Sequence, residues 1–284
     1  MPVSVGVAAI VGRSSPRDRW SSMPSWIARL VRLDRCGPGR HAFRAANAQG
    51  AGPRLFGGLI AAQALAAAGA TVDSGRLPQS LHAYFIKGGR VGVDVDYAVE
   101  PTRDGRSFNT RRVTASQQGV PIFEMLASFH SPEPGRDWQR PAVPRLALAD
   151  ATTAIDLPEG WMNHVETRVA ADATSEWPVQ PFWFRSREPI EDDPLLRACC
   201  LTFVSDLGMV STARPPGERE PGPGGAASLD HALWLHRMID PNQWHCYDAV
   251  GVSHSDARGL AFGSISDSAG VLVASVAQES LWRI

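Results

Sequence analysis

Three polar residues in the second half of the chain lie in surroundings that require a chemical explanation. Asp206 ends a strongly apolar stretch beginning at Leu201, where a carboxylate is costly unless it is hydrogen-bonded or functional. Gln278 follows an apolar run over 271–277, and strand alternation places its amide on a face that should be buried. A buried amide must find partners for its donors and acceptor, so it bridges to backbone or holds a ligand or a water. Ser228 begins another apolar pattern.

Each of these residues also has a structural interpretation. Asp206 lies beside Ser205 and before Leu207, where a carboxylate could satisfy backbone groups at a helix end. Most side-chain amides hydrogen-bond to backbone, so Gln278 could be a structural bridge. Ser228 could be a hydroxyl at a strand edge without any function. The residues alone leave both interpretations open at all three positions.

Other arrangements that could support chemistry are weaker. Asp230 and His231 are tempting as a dyad, but adjacent strand residues point to opposite faces, and the pair is set aside. His236, His245 and His254 lack the spacing of metal ligands. The sequence contains no GxSxG, GxxxxGK[ST] or HExxH motif, which excludes serine hydrolase, P-loop ATPase and zinc protease interpretations. We therefore expect neither a metal nor a redox cofactor.

The composition is that of a globular protein close to neutrality. The 284 residues include 28 basic and 29 acidic side chains, for a formal net charge of -1, so neither nucleic acid nor an acidic membrane surface is an expected partner. Four irregularly spaced cysteines favour a reducing compartment, and we predict a cytoplasmic protein. The apolar segment 3–11 has no positive region before it and is too short to span a bilayer, so we predict no signal peptide.

The same order of elements is predicted in both halves of the chain. An alanine-rich helix follows a turn at Gly57-Gly58, runs from Leu59 to Ala68, and precedes strand patterns near residues 81–86, 93–99, 111–116 and 121–129. A second helix-like segment precedes strand patterns in the same way, with the helix at 195–204 and the strands at 228–236, 244–253, 259–266 and 271–283. A helix followed by an antiparallel meander indicates an α+β fold, and the small residues of the first helix suit a helix wrapped inside a curved sheet.

Sequence echoes support two copies of one helix-plus-sheet unit. Residues 80–83 resemble 228–232, and counting on from the turns at Gly119 and Gly270 places Ala127 and Gln278 at equivalent positions. We predict a disordered leader over residues 1–22, a first unit over 23–132, a linker over 133–159 and a second unit over 160–284. The second unit contains all three polar candidates.

Several segments, spread over both halves of the chain and in the order found in the family, resemble the type II acyl-CoA thioesterases. In the first half they are Arg54-Leu55-Phe56-Gly57-Gly58, Gln63-Ala64-Leu65, Ser80-Leu81-His82-Ala83-Tyr84-Phe85, Arg103-Asp104-Gly105-Arg106-Ser107-Phe108 and Ala127-Ser128-Phe129. In the second half they are Ser205-Asp206, Ser228-Leu229-Asp230-His231-Ala232-Leu233-Trp234 and Val273-Ala274-Ser275-Val276-Ala277-Gln278-Glu279. The likeness extends from about Met23 to the C-terminus and is weakest over 133–193.

The resemblance implies a double hotdog, in which two antiparallel sheets each wrap a central helix, and hydrolysis of fatty acyl-CoA to a fatty acid and CoA. It assigns the catalytic roles to Asp206, Ser228 and Gln278, with Ser228 standing where the family often has Thr. Asp206 would accept a proton from a water that Gln278 and Ser228 hold against the thioester carbonyl. Ala127 replaces the glutamine in the first half, so we predict one active site per chain. A homodimer or homotetramer is expected from the family and from the prevalence of symmetric assemblies.

Two alternatives remain open. One is an acyl-CoA hydratase or dehydratase on a similar double hotdog, for which Asp230 and His231 would be the acid–base pair. The other is a non-catalytic protein that binds acyl-CoA.

Overall fold

The computed structural model describes residues 24–37, 41–47, 54–140, 144–155, 161–173, 180–218, 222 and 224–283. The leader predicted over residues 1–22 lies outside the described residues. Among those described, no helix is both long and apolar enough to cross a membrane.

Two long helices form the centre of the protein. The described α-helices are α1 (Trp26–Leu30), α2 (Gly57–Gly69), α3 (Pro194–Ser205) and α4 (Met209–Thr212). Helix α3 begins where the Asp193 carboxylate accepts a hydrogen bond from the Leu196 amide at 3.0 Å, with Pro194 at the first helical position. Both long helices were predicted from the sequence at these places, to within a residue or two of their ends.

All the strands of the described residues belong to one antiparallel sheet. In the first half they are β1 (Asp34–Arg35), β2 (Ala42–Ala45), β3 (Leu77–Phe85), β4 (Val95–Asp104), β5 (Phe108–Gln117) and β6 (Val120–His130). Three further strands lie between the halves, β7 (Thr153–Ala154), β8 (Val165–Val169) and β9 (Phe182–Ser186). The second half contains β10 (Ala226–Ser228), β11 (Asp230–Leu235), β12 (His245–Ser255), β13 (Arg258–Asp267) and β14 (Leu272–Trp282).

The strand order divides the sheet into two halves that meet along a single pair. The order is β1-β2-β4-β5-β6-β3-β11-β14-β13-β12-β9-β8-β7, and β10 pairs with β14 beside that path. Strand β3 joins β11 antiparallel, with Leu81 opposite Leu233. Each half therefore contains a three-stranded meander, with β3 or β11 beside its last strand, and one long helix. This confirms the predicted α+β double-hotdog arrangement.

Helix α2 is the inner element of the first half, as its small residues predict. Twelve of its 13 residues are buried. A side chain at Gly58 would bring a Cβ to 2.4 Å from the Phe203 carbonyl oxygen, so only glycine allows α2 to lie this close to α3. This contact brings the start of α2 beside the end of α3, which is where Asp206 lies.

The structure differs from the sequence-based expectations in several places. The single strand predicted over 228–236 is two strands separated at Leu229, whose amide donates to the Glu279 carbonyl at 2.9 Å. Strands β8 and β9 were not predicted, and β9 has buried residues at four of its five positions, a pattern that hides the alternation of a strand. The predicted linker over 133–159 includes the short strand β7, which pairs with β8.

Candidate active site

Asp206 links the two central helices. It is the C-cap residue of α3, yet its Oδ2 accepts a 2.8 Å hydrogen bond from the Gly58 amide in the first turn of α2. The N-cap residue of α2, Phe56, makes no capping hydrogen bond through its side chain, so Asp206 supplies from another helix the acceptor that the first turn needs. Asp206 therefore does satisfy backbone at a helix end, as the structural interpretation expects, but its carboxylate caps the start of α2 and not the end of its own helix α3.

Ser228 approaches the other oxygen of the same carboxylate, and Gln278 binds Ser228. The Gln278 Nε2 donates to Ser228 Oγ at 3.0 Å, and the Ser228 hydroxyl points to Asp206 Oδ1 at 3.4 Å. The Gln278 side chain is completely buried, on the inward face of β14 where alternation placed it. The structure thus brings together the three residues that the sequence analysis selected.

A one-residue shift in strand register turns Ser228 towards this site. On β14, Ser228 lies opposite Ser280, whereas the ladder of β11 pairs Ala232 with Ala277. The extra residue at Leu229 forms a bulge, and without it Ser228 and the buried His231 would face opposite sides of the sheet. With the bulge, both side chains reach Gln278.

His231 is the site residue that sequence reasoning missed. Its Nδ1 lies 2.7 Å from Gln278 Oε1, and its Nε2 lies 2.8 Å from Ser205 Oγ. The sequence analysis considered His231 only as a partner of Asp230 and set it aside. Asp230 does face away, since its carboxylate accepts from the Glu279 amide at 2.7 Å. The available signal was the alternation of β11, which places His231 on the buried face with Leu233.

Burial governs the electrostatics of the site. It raises the pKa of Asp206 to about 7, although hydrogen bonds from Gly58, Gln278 and Ser228 act in the opposite direction. Burial also lowers the pKa of His231 to about 4, so the imidazole is neutral at pH 7. A carboxyl that titrates near neutrality is suited to exchange a proton with water.

A cavity of about 540 Å³ opens at Asp206. Its apolar wall comes from the entrance to α2 and the end of β3 and consists of Leu55, Phe56, Ile60, Phe85 and Ile86. Arg54 and Lys87 supply its cationic groups, and both residues are exposed. The cavity therefore combines a buried carboxyl, an apolar wall and positive charge.

The described residues contain no group of three or more His, Cys, Asp or Glu side chains close enough to hold a metal ion. All four cysteines are free, and burial raises the pKa of Cys246 to about 12.

The chain matches two protein-family models. The model for the acyl-CoA thioesterase N-terminal domain matches residues 45–130, and that for the C-terminal domain matches residues 126–282. The chain is 33% identical over 258 residues to acyl-coenzyme A thioesterase 8 of Homo sapiens, with 81% of each chain covered. It is 31% identical over 252 residues to acyl-CoA thioesterase 2 of Haemophilus influenzae, covering 81% of this chain and 88% of that one.

Solved structures show the same architecture. An acyl-CoA thioesterase II from Mycobacterium marinum is 34% identical and superposes with a TM-score of 0.74, covering 90% of this chain and 96% of that one. A hot dog fold protein from Alicyclobacillus acidocaldarius is 18% identical and superposes with a TM-score of 0.72, covering 92% of this chain and 99% of that one. The second likeness concerns the fold alone and confirms the hotdog expectation.

Proposed function

The chain belongs to the acyl-CoA thioesterase family, and on that premise we propose that it hydrolyses fatty acyl-CoA to a fatty acid and CoA with Asp206 as general base. The observation that supports this most directly is the hydrogen-bonded series from the Gln278 amide to the Ser228 hydroxyl and from that hydroxyl to Asp206 Oδ1, at a cavity that Ser228 and Asp206 line. The Gly58 amide holds the other carboxylate oxygen, so Oδ1 is the oxygen that receives the proton.

In the proposed reaction, a water molecule is positioned by Ser228 and Gln278 and gives a proton to Asp206 Oδ1. The hydroxide that forms attacks the thioester carbonyl carbon, and collapse of the tetrahedral intermediate breaks the C–S bond. The thiolate leaves with the electron pair and takes up the proton that Asp206 received. A thiol pKa of ~8.5 makes this leaving group good without a strong acid. No covalent enzyme intermediate forms.

The negative oxygen of the intermediate needs a donor, and the first turn of α2 supplies one. The amides of that turn have no intrahelical acceptor, and the positive end of the helix dipole favours an anion there. Gly57 lines the cavity directly before the Gly58 amide that is bound to Asp206. We assign the oxyanion to the Gly57 amide.

The cavity also suggests how the substrate lies. The side chains of Phe56, Ile60 and Phe85 suit an acyl chain, while Arg54 and Lys87 suit the phosphates of CoA. A Lys87→Met variant should then raise KM for an acyl-CoA but not for the same acyl group on N-acetylcysteamine, which has no phosphate. Equal changes in KM for both substrates would remove Lys87 from the phosphate site.

The decisive experiment follows thiol release from a series of acyl-CoAs of increasing chain length, with the wild type beside Asp206→Asn. Removing a general base should lower kcat by about 10²–10⁴-fold while acyl-CoA still binds. Thermal unfolding checks that the variant is folded. Wild-type turnover by Asp206→Asn would refute the mechanism, and binding without release by the wild type would favour an acyl-CoA binding protein.

The pH profile gives a second test. Asp206 acts as a base only when ionised, and its pKa is about 7. The kcat/KM of the wild type should therefore fall about tenfold per pH unit below pH 7, since the ionised fraction falls by that factor. A profile that stays flat from pH 5 to pH 8 would contradict an ionised Asp206 as the base.

A further inference from the structure

Beyond the three proposed catalytic residues, the hydrogen bonds of the site have a direction that depends on His231. The ring is 1% exposed and both of its nitrogens contact other side chains of the protein, so it is placed to act through those neighbours. Its two nitrogens contact Gln278 Oε1 at 2.7 Å and Ser205 Oγ at 2.8 Å. The Gln278 Oε1 is a carbonyl oxygen and only accepts, so the ring nitrogen facing it must donate.

We infer that His231 is a positioning residue for hydrolysis, which carries its single proton on Nδ1 and thereby fixes the Gln278 amide with its N–H groups towards Ser228. The inference rests on the proposed function for its kinetic consequences, but the position of the proton is independent of it. Neutral imidazole has one donor and one acceptor, so Nε2 then accepts from the Ser205 hydroxyl. The Ser205 oxygen also lies 2.8 Å from the Thr202 carbonyl oxygen, and a proton on His231 Nδ1 requires the single Ser205 proton to turn from that carbonyl to the ring.

The resulting hydrogen bonds all point the same way. Ser205 donates to His231, His231 to Gln278, Gln278 Nε2 to Ser228 at 3.0 Å, and Ser228 to Asp206 Oδ1 at 3.4 Å. Each hydroxyl has one proton, so reversing any member reverses its neighbours. If the Gln278 amide were turned over, its oxygen would take the Ser228 proton, and the carboxylate would lose that donor. The tautomer of His231 therefore decides whether Asp206 receives a hydrogen bond from Ser228.

Two substitutions separate this role from simple packing. His231→Leu removes the donor and leaves the Gln278 amide free to turn over. His231→Asn keeps an N–H near the position of Nδ1, because the asparagine side-chain nitrogen stands at the same distance from Cβ. We expect His231→Leu to lower kcat about tenfold, the loss of one well-oriented hydrogen bond, with KM within about twofold. His231→Asn should recover kcat to within about threefold of the wild type.

The acidic limb of kcat/KM supplies a readout that packing does not move. Ser228 and Gln278 lower the Asp206 pKa by hydrogen bonding, so loss of their orientation in His231→Leu should move the limb to higher pH by about half a unit. His231→Asn should leave the limb in place. The other titratable groups near Asp206 stay the same in both variants, namely Tyr247 in the core and Arg54 and Lys87 in the cavity wall.

The proton itself is observed by NMR of the wild-type enzyme labelled with ¹⁵N-histidine. The protein has eight histidines, and the His231 signals are those that disappear in His231→Asn. A protonated Nδ1 and an unprotonated Nε2 at pH 7 are expected. A proton on Nε2, or a folded His231→Leu variant with unchanged kcat and acidic limb, overturns the inference. Full activity of Asp206→Asn would instead overturn the proposed function and leave the NMR result standing.

Discussion

The two halves of the molecule share a strand arrangement, but at equivalent positions one half has apolar side chains and the other has polar ones. The β3–β6 ladder pairs Leu81 with Ala127, and the next rung of the β11–β14 ladder after Ala232 and Ala277 joins His231 and Gln278. Both ladders also shift by one residue at the same place. In the first half that shift lies between Pro78 and Ser80.

Counting along the ladders and helix ends gives the full correspondence. The second half has polar residues where the first has apolar ones, namely Ser228 for Pro78, His231 for Leu81, Gln278 for Ala127, Ser280 for Phe129, and Asp206 for Ala70 at the helix C-cap. The bulge is therefore a feature of the fold that both halves share. Polar side chains occupy these five positions in the second half only.

The first half places a different polar residue at the neighbouring rung. Arg111 pairs with Ala127 on β5–β6, whereas the small Ala261 pairs with Gln278 on β13–β14. The Arg111 side chain is 3% exposed and donates to Thr71 Oγ1 at 2.8 Å and to Asp104 Oδ1 at 2.6 Å. Thr71 directly follows α2, so the guanidinium ties the end of that helix to the sheet. One half holds its helix end with a buried cation, and the other has a buried carboxyl there.

A pair of glutamine substitutions tests this division most strongly. Gln278→Ala gives the second half the residue of the first, and we expect kcat to fall about 100-fold because a group that orients the water is lost. Gln63→Ala removes a buried glutamine that binds only structure, since it accepts from the Tyr97 hydroxyl at 2.6 Å and donates to the Leu30 carbonyl at 2.7 Å. It should lower the free energy of unfolding by about 2–3 kcal/mol and leave kcat unchanged.

Thiol release per folded molecule and urea unfolding measure the two effects separately. Similar losses of kcat in both variants would show that the halves do not divide catalysis from structure in this way.

The contrast between these glutamines also shows what the sequence can predict. Repeated helix and strand patterns predict the two units, because periodicity reports burial directly. Gln278 was identified as a buried amide from alternation on β14. The sequence does not reveal that Ser228 faces inward, because the bulge at Leu229 depends on pairing with β14 and β3. His231 was missed although alternation on β11 predicts its burial, because its partners Gln278 and Ser205 are distant in sequence.

The second prediction concerns pH and stability. Asp206 has a folded-state pKa of about 7, above the ordinary value for an aspartate. The folded state then binds more protons than the unfolded state between about pH 4 and pH 7, so this residue stabilises the protein at low pH and its contribution is lost as pH rises through 7. Activity changes in the opposite sense, because ionisation of Asp206 supplies the base.

Urea unfolding of the wild type and Asp206→Asn isolates this contribution. From pH 5 to pH 8, the stability of the wild type relative to the variant should decrease by about 2 kcal/mol. His231, with a pKa of about 4, produces a slope of opposite sign below pH 6.5, but it is present in both proteins and does not affect the difference. A constant difference across this range would mean that Asp206 has an ordinary pKa. The two halves of the molecule would then not differ in the electrostatic way argued above.

The smallest effect is expected from the first half alone. Arg111→Met retains the aliphatic volume and removes the guanidinium from Thr71 and Asp104. The Asp104 side chain is 60% exposed and regains water, so we expect a loss of only about 1–2 kcal/mol in the free energy of unfolding.

The control is Arg112→Met. The Arg112 side chain is 54% exposed, and loss of its ion pair with Glu124 should change the free energy of unfolding by about 0.5 kcal/mol or less. Arg111 binds Thr71 beyond the C-terminal end of α2, whereas the Asp206 carboxyl binds the first turn of that helix, so kcat should match that of the wild type. A lower kcat in Arg111→Met but not in Arg112→Met would show that the first half contributes to the reaction through α2, whose first turn carries the Gly58 amide bound to Asp206.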